Sequence, residues 1–196
     1  MNERVRTAWH EAGHAVADLA FGHDLLVVSI RPTERYAGVC RAQVDLGAHR
    51  LAMTTVVPDQ DAGLRATVER QIIAALAGAA AEWMTPMDGK PARYSTPPCE
   101  AQAEALVMRL PPRERELLRE LETSRSPGMS DDARSLEIAS AFTGSDQAIA
   151  YWNWLRAATR DFVEGRRLHI ERVADALLER SVLTGEEVAA ICRVPW

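Results

Sequence analysis

The chain has 196 residues, 47% of them hydrophobic and 26% charged, with a formal net charge of -5. That length and balance fit one soluble domain with a real core, and an acidic surplus with no basic cluster excludes a general nucleic-acid surface. The cysteines Cys40, Cys99 and Cys192 stand far apart with no CxxC pair, which excludes a disulfide framework or zinc ribbon and fits a reducing, cytoplasmic setting. No run reaches the roughly 18 apolar residues of a membrane span, and the N-terminus lacks the apolar core of a signal peptide, so no membrane anchor is expected in the chain.

The first predicted element is a helix that ends near Gly22. Val5, Trp9, Ala12, Val16 and Leu19 recur at the spacing of one core-facing stripe. His10 and His14 fall on the opposite side with Thr7, Ala17 and Phe21, a face of small, aromatic and imidazole groups that suits a cleft better than bulk water. Histidines four apart project from one helix face a turn apart, so two ring nitrogens can converge on one ion. Glu11, about 100° further round, is poorly aimed to ligate but well placed to reach a water on that ion. The string His10-Glu11-Ala12-Gly13-His14 thus has the two-His-plus-Glu arrangement of zinc metallopeptidases. There the ion needs neutral nitrogen donors, a third ligand and an open position. Gly13 weakens a helix and is better explained by the close approach of another element.

Leu25 to Ile30 reads as a short strand, Pro32 to Gly38 as a turn, and Val39 to Val44 as a partner strand. Such a strand either accepts an extended peptide by backbone pairing or simply packs over the helix. A second helix is expected from Ala66 to Met84, with Val68, Ile72, Ile73, Leu76 and Ala80 apolar and the small residues Ala77 to Ala81 allowing close packing on the first helix. Prolines and charge mark the segment 85–128 as an insertion, with helices expected at Cys99 to Leu110 and Arg113 to Glu122. Ser130 caps a helix from Asp131 to Phe142. Ser145-Asp146 starts another whose Tyr151, Trp152, Trp154, Leu155 and Phe162 are expected in the core. Thr184 with Glu187 makes a capping box, and Leu183 with Val188 the hydrophobic staple of a last helix. The fold expected is mainly α with a small β-hairpin or sheet (α+β): a zincin-like active-site helix, a helical C-terminal part, and one domain over 1–196.

A third metal ligand must come from elsewhere. His23, His49 and His169 are isolated, whereas Asp131 and Asp132 occupy the first turn of a helix, where the dipole and free N–H groups hold a carboxylate ionised. First-turn acids also serve as plain charge caps, so residue type alone leaves both roles open.

His10 to Ala15 (HEAGHA), the run Ala77 to Glu82, Gly128-Met129-Ser130-Asp131-Asp132, and the tail Ala176 to Arg180 followed by Leu183 to Val188 come in one order across nearly the whole chain. Together they resemble the protease domain of FtsH-type AAA+ zinc proteases. The resemblance implies His10, His14 and Asp132 as zinc ligands and Glu11 as general base, with Asp131 standing where asparagine is usual. The family's spacing from Gly78 would fall near Cys99 and Glu100, which makes Glu100 the rival third ligand. Neither the ATPase module nor the membrane helices of that family are found in these residues. The expectation is therefore a stand-alone zinc endopeptidase acting on peptides or unfolded protein, with a separate ATPase or a homo-oligomer as possible partners. The alternatives are a non-proteolytic zinc-containing interaction module and a metal-dependent hydrolase of a non-peptide amide.

Overall fold

Helix α1 (Glu3–Ala20) opens on Asn2, whose side-chain oxygen accepts the Arg4 N–H at 3.0 Å and so satisfies a donor of the first turn. It stops at Phe21, and Gly22 turns the chain with φ 76°, a backbone conformation that glycine adopts without strain. The computed structural model describes residues 2–32, 37–43, 62–85, 112, 115–116, 130–143 and 145–193. Among these, β1 (Asp24–Ser29), β2 (Val39–Gln43), α2 (Ala62–Glu82), α3 (Asp131–Thr143), α4 (Ser145–Glu164), α5 (Arg167–Arg180), β3 (Val182–Thr184) and α6 (Gly185–Cys192) follow α1. The chain is mainly helical with a small antiparallel sheet, as its periodicities predict. The helix expected at Cys99 to Leu110, all but residues 115–116 of that expected at Arg113 to Glu122, most of the segment 85–128, His49 and Glu100 lie outside the described residues.

The sheet order is β2-β1-β3, both pairings antiparallel, with an irregularity in β1 between Leu25 and Val27. β1 is central, with Leu25 and Val27 to Ser29 buried, which accounts for its run of branched apolar residues. The third strand was not expected. It is three residues long, too short for alternation to register, and it enters the sheet because Ser181, at φ 64°, ends α5 and turns the chain back. The Ile30 N–H then bonds the Ser181 carbonyl at 2.8 Å.

Helix α1 is enclosed on more sides than one stripe implies. Trp9, Ala12 and Val16 are buried as expected, and so are Thr7, Glu11, Gly13 and Ala17. It packs on α5 and the sheet on one side and on α2 on the other. Helix α2 is likewise apolar on two faces. Leu64, Val68, Ile72 and Leu76 pack with Ala139, Phe142 and Leu155 of α3 and α4, while Ala74, Ala77 and Ala81 join the larger core around α1. The contact between α1 and α2 is close because Gly13 has no side chain: a Cβ there would stand 2.5 Å from the Ala77 carbonyl oxygen and 2.7 Å from the Ala81 Cβ. On α4, Leu155 is buried, but Trp154 is 54% exposed, one helical step off the apolar face, and so is not part of the core.

Candidate metal centre

The spacing of four on α1 brings the two imidazoles together, and α2 fixes how they turn. His14 Nδ1 lies 2.8 Å from the Ala74 carbonyl oxygen, and His10 Nδ1 lies 2.6 Å from Glu82 Oε1. A carbonyl and a carboxylate can only accept, so each Nδ1 donates and each neutral ring has its lone pair on Nε2. Those two Nε2 atoms face each other at 3.0 Å. The Asp131 Oδ2 completes a triangle, 3.1 Å from His10 Nε2 and 3.2 Å from His14 Nε2. Among the described residues this is the group of histidine and carboxylate side chains close enough to hold a metal ion.

Three acceptors at such distances repel one another unless positive charge lies between them. A proton or a cation satisfies the arrangement. Tetrahedral ligands about 2.0–2.1 Å from zinc stand about 3.3 Å apart, close to the spacings found here. Two imidazole nitrogens and one carboxylate oxygen are also a donor set that zinc accepts. The residues present therefore fit a zinc ion. In the absence of a cation the same crowding appears as proton affinity. Burial lowers the His14 pKa, but the hydrogen bond and charge of Asp131, then Glu11 and the Ala74 carbonyl, overcome it and raise the pKa to about 9. Burial opposes ionisation of Asp131 too, yet its bonds to His10 and His14 hold it well below the usual carboxylate range.

Glu11 lies beside this triangle and outside it. It is 6% exposed, covered in part by the backbone at Gly38, where a Cβ would meet Glu11 Oε1 at 2.7 Å. Burial raises its pKa to about 6, against the nearby His14 and His10, which favour the ionised form.

Other known proteins are similar to this chain in sequence. No family model matches it. It is 29% identical over 198 residues to the ATP-dependent zinc metalloprotease FtsH 2 of Sphaerobacter thermophilus, covering 98% of this chain and 27% of that protein. It is 33% identical over 202 residues to the ATP-dependent zinc metalloprotease FtsH 1 of Symbiobacterium thermophilum, covering 96% of this chain and 29% of that protein. The chain is similar to the FtsH zinc metalloproteases. It spans less than a third of the length of these relatives.

Within this FtsH-like chain, the acidic residue beside the imidazoles is Asp131. The sequence expectation named Asp132, the second acid of the run. Asp132 is exposed, one residue further round the helix. Asp131 shares its stripe with Ser135, Ala139 and Phe142, the buried face of α3, and that periodicity carries its carboxylate inward. Of the other described histidines, His23 pairs through Nδ1 with Asp18 Oδ1 at 2.7 Å, and His169 sits on α5. Sequence reading also missed Glu82. It was visible in the run Ala77 to Glu82, but its bond to His10 depends on where α2 crosses α1. Arg6 reaches the other Glu82 oxygen at 3.5 Å. On the His14 side the group borders a cleft of about 140 Å³, lined among others by Asp18, Cys40, Gln71 and Arg134.

Proposed function

We propose that this chain is a zinc-dependent endopeptidase whose metal is held by His10, His14 and Asp131 and whose general base is Glu11. The observation that carries the reading is the convergence of two Nε2 lone pairs and one carboxylate oxygen within 3.2 Å, each imidazole oriented by an acceptor on its far nitrogen. When bound, zinc would supply the Lewis acidity that polarises a scissile carbonyl and acidifies water. Glu82 and the Ala74 carbonyl hold the rings in the tautomer that ligates, as acceptors behind ligating histidines do. Glu11 takes the proton of the attacking water on a carboxylate oxygen and passes it to the leaving amine. Its burial beside the imidazoles suits that role, because burial disfavours the charged carboxylate and so strengthens its hold on a proton. The similarity to proteins named as zinc metalloproteases supports the same chemistry.

The substrate is an extended, unstructured segment. The 196 residues contain no GxxxxGK[ST] phosphate loop, so they do not by themselves couple ATP to the opening of a folded protein, whose spontaneously open population is small. The test is casein cleavage by the parent and by Glu11→Gln, both loaded with zinc, with and without ATP. The parent cleaves casein irrespective of ATP, and Glu11→Gln keeps its zinc while losing at least about a hundredfold in rate, within the range of general-base contributions. Equal cleavage by the two would remove Glu11 from the mechanism. Zinc retention with no hydrolysis by the parent would make the chain a zinc-binding module without protease activity.

A further inference from the structure

We infer that Gly78 is a positioning residue of the metal centre: it is the place on α2 where the absence of a side chain lets the two imidazoles converge. The inference rests on the zinc site proposed above and concerns a residue outside its ligand set.

The two histidines on α1 dock against three positions of α2 spaced four apart. Ala74 offers its carbonyl to His14, and Glu82 offers its carboxylate to His10. Gly78 lies midway between them, on the same stripe by helical spacing. Both outer positions draw the rings toward α2 by their Nδ1 atoms, so the Nε2 ends must lie over the middle one. They do. A Cβ built on Gly78 would collide with His14 Nε2 and would stand 2.7 Å from His14 Cδ2 and 2.8 Å from His10 Nε2. Any residue with a side chain must push one or both donor nitrogens away from Asp131 or break a bond to Ala74 or Glu82.

Gly13 makes a useful contrast, because the other close contact of this helix pair is of a different kind. Its Cβ would meet the Ala77 backbone carbonyl, which cannot move without shifting α2. The atoms near Gly78 are the outer ends of histidine side chains, which can rotate away. Helix packing therefore depends on Gly13 and metal geometry on Gly78. A glycine in mid-helix is otherwise unfavourable, since alanine is the better helix former. Gly78 stands where a Cβ would crowd the two imidazoles.

The experiment compares Gly78→Ala with the parent by zinc competition against a chromophoric chelator, and by thermal melting of the zinc-stripped proteins. The expected result is a loss of at least about tenfold in zinc affinity, comparable to removing an outer-shell partner, with the zinc-stripped variant still folded and melting in a single transition. Parent-like zinc affinity in Gly78→Ala would overturn the inference and leave the metal centre itself standing. A parent that binds no zinc would overturn both. If Gly78→Ala does not fold, it is combined with His10→Ala and His14→Ala. The combined variant then folds, because the atoms in the way are gone. Its failure to fold would place the crowding elsewhere and overturn the inference.

Discussion

Asp131 and Asp132 are chemically identical neighbours, and helix geometry alone separates them. The first points along the buried stripe of α3 into the imidazole pair, and the second points to solvent. Asp131→Ala should therefore weaken zinc binding by an order of magnitude or more, as loss of a direct ligand implies, while Asp132→Ala leaves it within about twofold. Zinc competition titrations of the two variants measure this, and the reverse order would return the third position to Asp132. The distinction was available in the sequence, since residues 131, 135, 139 and 142 keep the spacing of an inward face. Motif resemblance pointed one residue further on, to Asp132. Glu82 was less accessible. Nothing in its own spacing says which histidine it meets, because that depends on the crossing of two helices separated by a long stretch of chain.

At the level of elements, α1, α2 and the last helix were legible because each carries a signal strong enough to survive its surroundings. The capping box is one. Glu187 N–H bonds Thr184 Oγ1 at 3.2 Å, and Thr184 N–H bonds Glu187 Oε2 at 2.8 Å. The strand β3 carried no such signal, since its pairing with β1 is dictated by the turn at Ser181. The α1–α2 pair is the element contact on which the centre depends. Gly13→Ala should destabilise the protein by about 1–3 kcal/mol, the usual cost of overpacking, because the added methyl meets backbone. Urea denaturation checks this, and a variant as stable as the parent would mean that α1 and α2 can separate without loss.

Across the whole molecule, protons and the proposed zinc would compete for one site, which sets opposite pH dependences. In the zinc-free protein the His14 pKa is raised from 6.5 to about 9. The stability it contributes is fully present below about pH 6.5 and is lost as pH rises through about 9. Glu11, raised from 4.5 to about 6, acts in the same direction at lower pH. Zinc binding needs the deprotonated ring, so zinc affinity rises over the interval in which zinc-free stability falls. Melting temperatures in the presence of a chelator should decline from about pH 6.5 to about pH 9, while zinc competition strengthens. A zinc-free protein that gained stability over that interval would contradict the pairing of His14 with Asp131. The larger plan, with α2 between two apolar clusters and the metal centre where it crosses α1, follows from residues that are apolar or small on more than one face. Such residues show in the sequence as blurred periodicity.

The most direct test is elemental analysis of the protein purified without chelators, beside His14→Ala prepared the same way. The convergence of His10, His14 and Asp131 predicts about one zinc per parent chain and a large loss in the variant. A parent free of divalent metal, or a variant that keeps the full amount, would contradict the metal centre.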